Sequence, residues 1–184
     1  MLIDGRPGVA NDVKRAFELA AAGAALSCAH SKGALGRCYI GGYGVAEDQA
    51  RALALGRESA AAGSCFGQCV VGKCYDEGWG VAQNYAEAVR LYRLSAAQGY
   101  ANAQNNLGRM FDLGQGVAQD YAEAVRLYRL SAAQGHAFGQ TNLGRMFENG
   151  TGVAKNRAEA IRLYRLAAAQ GQASAIALLK QLGV

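Results

Sequence analysis

Few side chains in this sequence are of a type that does covalent or metal chemistry, and their spacing gives them no partners. The two histidines, His30 and His136, stand apart from any set of ligands at metal spacing, so neither a metal nor another cofactor is expected. Of the five cysteines, only Cys69 set against His30 makes a thiol and base pair worth weighing, and nothing in the spacing brings the two together. Gly41-Gly42-Tyr43-Gly44 is rich in glycine, as a phosphate loop is. It lacks the strand-to-helix context such a loop needs and belongs to a connection that recurs along the chain. No enzyme is expected from these residues.

Ionic chemistry is better ordered. A basic residue recurs every thirty-six positions at Arg37, Lys73, Arg109 and Arg145, and three residues after each comes Ile40, Asp76, Asp112 or Glu148. Two readings stay open. Arg109 with Asp112, and Arg145 with Glu148, would form pairs within one helix worth only about 0.2–0.5 kcal/mol each when exposed. Alternatively, the four cations line up across stacked helices about 8–10 Å apart and make a ladder of roughly 25–30 Å, the reach of an extended acidic segment of about eight residues.

The same interval governs the whole chain, because Gly-Val-Ala returns at Gly8-Val9-Ala10, Gly44-Val45-Ala46, Gly80-Val81-Ala82, Gly116-Val117-Ala118 and Gly152-Val153-Ala154. A fixed period of this length is the signature of stacked supersecondary units, each burying its apolar face against the next. Asp12, Asp48, Asn84, Asp120 and Asn156 share one slot, where a short polar side chain accepts from the free N–H groups of a helix start. Glu87, Glu123 and Glu159 follow three residues on and complete the capping-box pattern. After Asn84, Ala88, Leu91, Tyr92 and Ser95-Ala96 keep the helical period up to Gly99, a residue suited to the left-handed C′ position. A second helix is predicted over Tyr100 to Leu113, with a stop at Gly114.

Inside that second helix Gly108 costs about 0.5–1 kcal/mol relative to alanine. Its column, Gly36, Gly72, Gly108 and Gly144, is therefore expected to let the backbone approach Ala52, Ala88, Ala124 and Ala160 of the following helix. Lys180 takes the glycine's place where no further helix follows. The repeat predicts an all-α solenoid of about ten helices, with residues 1–184 as a single domain. It consists of a lone helix near Asp12 to Ala25, four helix pairs and a terminal helix near Gln172 to Leu182. Units 80–115 and 116–151 agree at 28 of 36 positions and should pack alike, whereas Gly56 and Ser27 break the pattern and predict a looser N-terminal half.

Gln104, Leu107-Gly108, Phe111, Gly114, Gly116-Val117 and Asp120 recur together as Gln140, Leu143-Gly144, Phe147, Gly150, Gly152-Val153 and Asn156. This string resembles the Sel1-like repeat (SLR), a relative of the tetratricopeptide repeat, and the resemblance covers nearly the whole chain. It implies a right-handed α-α superhelix whose Leu-Gly helices line a concave face. It also implies a non-enzymatic adaptor or scaffold that binds proteins or peptides there. One branch of the family joins two cysteines within each helix pair, a pattern absent here, although Cys65 and Cys69 lie four apart. The cysteine-rich relatives keep a hydrolase reading open, with Cys69 its one candidate.

If the Leu-Gly helices line a groove, one contact column is His30, Phe66, Asn102, Phe138 and Ser174, and the next is Gly33, Cys69, Asn105, Thr141 and Ala177. Both vary inside a nearly constant frame, as a tuned surface does and as neutral drift does. Joined to the basic column they give Phe66, Cys69, Lys73, Asn102, Asn105, Arg109, Phe138, Thr141 and Arg145 as candidate partner contacts. Arg90, Arg93, Arg126, Arg129, Arg162 and Arg165 read as a solvated outer face paired with Glu87, Glu123 and Glu159. Tyr92, Tyr128 and Tyr164 read as packing, and Trp79 as either an exposed anchor or a ring folded over its loop.

The net charge of +5 permits an anionic partner such as an acidic peptide, but the cations recur once or twice per unit without clustering, so nucleic acid is not expected. No apolar run of spanning length and no leader is read, so no membrane contact is expected. Unpaired thiols favour a reducing compartment such as the cytoplasm. The array opens within a unit, as a segment of a longer chain would, which makes a structural spacer the runner-up function. Ile176, Leu179 and Leu182 on the last helix predict weak end-to-end self-association.

Overall fold

The computed structural model describes residues 10–184, with side chains from Val13 onward; the glycine and valine of the first Gly-Val-Ala copy, and the side chain of the expected cap Asp12, lie outside that description. Ten α-helices follow one another: α1 (Ala10–Ala25), α2 (Ala29–Gly41), α3 (Gln49–Ala61), α4 (Cys65–Glu77) and α5 (Tyr85–Ala97). Then come α6 (Ala101–Leu113), α7 (Tyr121–Ala133), α8 (Ala137–Asn149), α9 (Arg157–Ala168) and α10 (Ala173–Leu182). Each packs on the next, α2 packs on α4 and α6 on α8, while the odd-numbered helices from α3 to α9 make their substantial contacts with even-numbered neighbours. The even-numbered helices thus form one layer, the inner one if the family's superhelix is followed, and the odd-numbered ones the other.

Caps set the boundaries. The side chains of Asp48, Asn84, Asp120 and Asn156 accept from the N–H of Arg51, Glu87, Glu123 and Glu159 at 2.9–3.1 Å. The reciprocal half of the expected capping box is not formed. The N–H of Asn84, Asp120 and Asn156 donates instead to the carbonyl of Tyr75, Phe111 and Phe147 on the preceding helix, at 2.8–3.0 Å. With that donor satisfied, Glu87, Glu123 and Glu159 turn outward and accept two hydrogen bonds each from Arg90, Arg126 and Arg162 at 2.7–2.9 Å. Every even-numbered helix ends on a glycine in the left-handed region, from Gly42 (φ 63) to Gly183 (φ 71). Ser27 holds the same backbone region, at φ 60, where the other units have glycine.

The mid-helix glycine column makes close approaches, but chiefly to an aromatic ring. A Cβ at Gly72, Gly108 or Gly144 would meet the ring of Tyr92, Tyr128 or Tyr164 at 2.5–2.9 Å. Those three rings are 0–1% exposed, so they are core, and each fills the notch that its glycine leaves. Only at Gly36 is the expected alanine the nearest neighbour, through the Ala52 carbonyl at 3.1 Å. There the tyrosine position is Gly56, and a Cβ on it would lie 2.6 Å from the Val70 side chain, which occupies the space. Lys180, in the glycine column of α10, is exposed.

Polar rungs repeat with the packing. Ser59, Ser95 and Ser131, all 0% exposed, donate to the carbonyls of Ala29, Cys65 and Ala101 at 2.6–2.8 Å. Gln98, Gln134 and Gln170 donate to Gln68, Gln104 and Gln140 at 2.8–2.9 Å. These bonds tie an outer helix to the inner helix before it and leave no buried hydroxyl or amide of these rungs unmatched.

Candidate functional site

The basic column runs down the inner layer, and three of its four members are held within the protein. Arg109 on α6 donates to Asp76 on α4, a carboxylate only 2% exposed, and Asp76 also accepts the Tyr92 hydroxyl from α5 at 3.1 Å. Lys73 pairs with Glu77 at 2.5 Å and lies 5.3 Å from the Trp79 ring. Arg37 is half-buried and has interactions of its own. Arg145 differs: it is exposed and has no ion pair or hydrogen bond among the described residues. Neither expected pairing within one helix is formed; Asp112 accepts the Tyr128 hydroxyl at 3.3 Å and Glu148 the Tyr164 hydroxyl at 2.6 Å. Arg145 is thus the exposed member of the column, while Lys73 and Arg109 keep 31% and 32% of their side chains in solvent and hold carboxylates of the chain itself.

The column of Gly33, Cys69, Asn105, Thr141 and Ala177 faces the interior over most of its length. Cys69 and Asn105 are 7% exposed and Thr141 4%. Asn105 accepts from Asn142 at 2.9 Å, and Thr141 donates to the Ala137 carbonyl at 2.9 Å. Cys69 and Asn105 thus join neighbouring even-numbered helices through Asn106 and Asn142, whereas Thr141 is tied within its own helix. The adjoining column is half-buried at Phe66 and Asn102 and exposed at His30, Phe138 and Ser174. Phe66 lies between His30 and Tyr100, with ring centroids 5.6 and 4.8 Å away, Asn102 donates to the Tyr100 hydroxyl at 2.9 Å, and Phe138 is 55% exposed. Trp79 folds back against Leu53, Val71, Cys74 and Leu91.

Three of the expected contacts come together. Phe138, Thr141 and Arg145 of α8 face α10 across a recess of about 460 Å³, whose wall is completed by Asn142, Gln172, Leu178 and Gln181 among others. That volume lies in the usual range for ligand sites, about 300–1,000 Å³. Phe66, Asn102 and Lys73 lie on earlier helices and do not join it. Gln181 was legible in principle, since it continues the Arg109 and Arg145 column by one more period; Asn142 and Leu178 had no such signal.

Three of the five thiols, Cys38, Cys69 and Cys74, are buried in the packing. All five cysteines are free, and Cys38 and Cys74 are 0% exposed in the column that Met110 and Met146 occupy later. Burial pushes the Cys69 thiol up to about 12, its sulfur faces the Asn106 amide at 3.9 Å, and His30 is exposed with its ring on Phe66. A thiol buried in this way and so reluctant to ionise is a poor nucleophile. Among the described residues, no group of three or more potential ligands could hold a metal ion, and no helix is long and apolar enough to cross a membrane.

Among the described residues, ten helices packed each on the next, with glycines ending the even-numbered helices and side-chain caps opening α3, α5, α7 and α9, define an α-solenoid. The Sel1 repeat profile matches residues 1–28, 30–64, 66–100, 101–136 and 137–172, and the chain belongs to the Sel1 repeat family. Protein interaction is the role typical of that family, whose repeats are generally non-catalytic scaffolds. The fold is similar to that of a Sel1 repeat protein from Oxalobacter formigenes, with 28% identity, a TM-score of 0.71 and coverage of 85% of this chain and 64% of that one. It is also similar to c5321, a protective antigen present in uropathogenic Escherichia coli strains displaying an SLR fold, with 33% identity and a TM-score of 0.71 over 91% of this chain. The chain spans 64% and 37% of the lengths of these two proteins. Helicobacter pylori cysteine rich protein B shares the fold at 20% identity and a TM-score of 0.56, over 72% of this chain and 96% of that one. No curated protein matches the chain.

Proposed function

We propose that the protein is a non-enzymatic adaptor or scaffold, with residues 1–184 acting as one unit, that binds a segment of a partner protein along its inner helices. The recess between α8 and α10 carries this reading, because Phe138 is 55% exposed there and stands beside an unpaired arginine and several amides. An aromatic anchor with an adjacent arginine is the composition of an interaction hot spot. The outer face is less suited, since Arg90, Arg126 and Arg162 are tied to their glutamates and Arg93 and Arg129 lie over the rings of Phe111 and Phe147. Peptide display on the intact chain tests the proposal. Enriched peptides should lose affinity for Phe138→Ala, an exposed position that folding tolerates. A selection that enriches nothing, or only peptides indifferent to Phe138→Ala, would point to the spacer reading.

Weak end-to-end contact is a further part of this proposal, and it is narrower than the sequence suggested. Leu178, Leu179 and Leu182 already pack against a core that contains Tyr164 and Ala167, which leaves Ile176, at 50% exposure, as the large apolar residue of α10 open to a second copy. Light scattering should show mass rising with concentration, and Ile176→Glu should abolish the rise.

A further inference from the structure

The contrast between Arg109 and Arg145 is one of register. Moving from Arg109 to Arg145 advances the chain by one unit, and the same step turns Asp76 into Asp112 and Tyr92 into Tyr128. In the first set all three groups join. In the second the hydroxyl reaches the carboxylate at 3.3 Å, but no hydrogen bond or ion pair joins the guanidinium to it. One period further along, the basic position is Gln181, a neutral side chain on the opposite wall of the recess. Glu148, the acid nearest Arg145 in the helix sequence, is engaged by the Tyr164 hydroxyl at 2.6 Å. A forked donor thus faces a recess in which no acidic side chain lines the wall.

The rest of the lining fits an anion carried on an apolar chain. Asn142, Gln172 and Gln181 supply neutral amides, and Phe138 and Leu178 supply apolar surface. Arginine recognises a carboxylate through two parallel N–H donors, and does so more strongly where neighbouring groups exclude water. We propose that Arg145 receives the side-chain carboxylate of a glutamate or aspartate in the partner segment, while an apolar side chain beside that acid lies on Phe138 and Leu178. Such a site presupposes the inner-face binding proposed above and narrows its chemistry: the preference for acid resides at one cation at the C-terminal end of the array, and Arg109 takes no part in it.

Peptides enriched by display, resynthesised with acetylated and amidated ends so that side chains carry the only carboxylates, serve as the probe. Each is titrated by fluorescence polarisation in two forms, with its acids intact and with each acid changed to the corresponding amide. The amide form should bind the parent protein about tenfold more weakly or worse, the loss of one charge-assisted contact. Arg145→Gln should impose that loss on the acidic form and add little to the amide form, the signature of direct coupling. Arg109→Gln should keep the preference for acid, and Arg145→Lys, which retains charge without the fork, should keep part of it. Peptides that depend on Phe138 yet bind equally well as acid and amide would overturn the carboxylate site and leave inner-face binding standing. Peptides indifferent to Phe138→Ala would remove both.

Discussion

Asp76 and Arg109 meet across the inner layer, and because Asp76 also accepts the Tyr92 hydroxyl, one carboxylate joins α4, α5 and α6. Asp76 is 2% exposed and Arg109 keeps 32% of its side chain in solvent, so the stabilisation lies more in satisfying buried groups than in bare attraction between charges. Asp76→Ala would strand a Tyr92 hydroxyl that has 0% exposure. The expected loss is about 2–3 kcal/mol, the scale of an unsatisfied buried donor plus a charged hydrogen bond. Asp112→Ala also strands a tyrosine hydroxyl, that of Tyr128 on a ring 1% exposed, but removes only a 3.3 Å contact and no charged hydrogen bond, so it should lose less, about 1 kcal/mol. Urea denaturation of both variants checks the difference, and equal losses would sink the three-helix account.

Gly108→Ala separates helix propensity from packing. In an ordinary helix interior the change would stabilise by about 0.5–1 kcal/mol. Here the new Cβ would stand 2.8 Å from Cε1 of Tyr128, a ring with 1% exposure and little freedom to retreat. Overpacking should reverse the sign and destabilise by about 1–3 kcal/mol. A melting temperature at or above the parent's would show that the tyrosine notch is loose.

Cysteine reactivity reports the same packing from another side. Cys28 is exposed, and hydrogen bonding from Ser31 holds its thiol below the ordinary thiol value. Burial raises the thiols of Cys69 to about 12 and Cys74 to about 11. Alkylation followed by mass spectrometry should modify Cys28 first and leave Cys69 and Cys74 protected until denaturant is added. Rapid labelling of Cys69 in the native protein would contradict its burial and reopen the question of a nucleophile.

Local signals carried most of the architecture. Asp48, Asn84, Asp120 and Asn156 announce outer helices because capping depends on a side chain and a backbone three residues away. The chemistry between helices was less legible, because it depends on residues brought together by packing across a loop or, for Arg109 and Asp76, 33 positions apart. Nothing local says that Asn84 donates its own N–H to Tyr75 and so releases Glu87 to Arg90, or that Arg109 reaches back to Asp76 in preference to Asp112. The candidate contacts divided for the same reason. A three-residue step between columns turns the side chain from the open face at Phe138 to the interior at Thr141, and the depth to which neighbouring helices cover a column is a property of the stack.

Alkaline pH should expose the tyrosine column. Burial, followed by the neighbouring carboxylates, raises Tyr92, Tyr128 and Tyr164 above the ordinary tyrosine value of 10.0. The unfolded chain releases these protons near pH 10 while the folded protein retains them, so the folded state binds more protons above that point and stability falls as pH rises. Below pH 10 both states are protonated, and this contribution is fully present and flat. Each tyrosine that ionises only on unfolding adds about 1.4 kcal/mol of lost stability per pH unit, so three acting together should make the decline steep. Circular dichroism melts at a series of pH values from neutral upward measure it. Tyr128→Phe keeps the ring that fills the Gly108 notch and removes one ionising group, so its decline above pH 10 should be shallower than the parent's even though it forfeits the bond to Asp112. A variant curve parallel to the parent's would place the alkaline transition elsewhere than in this column.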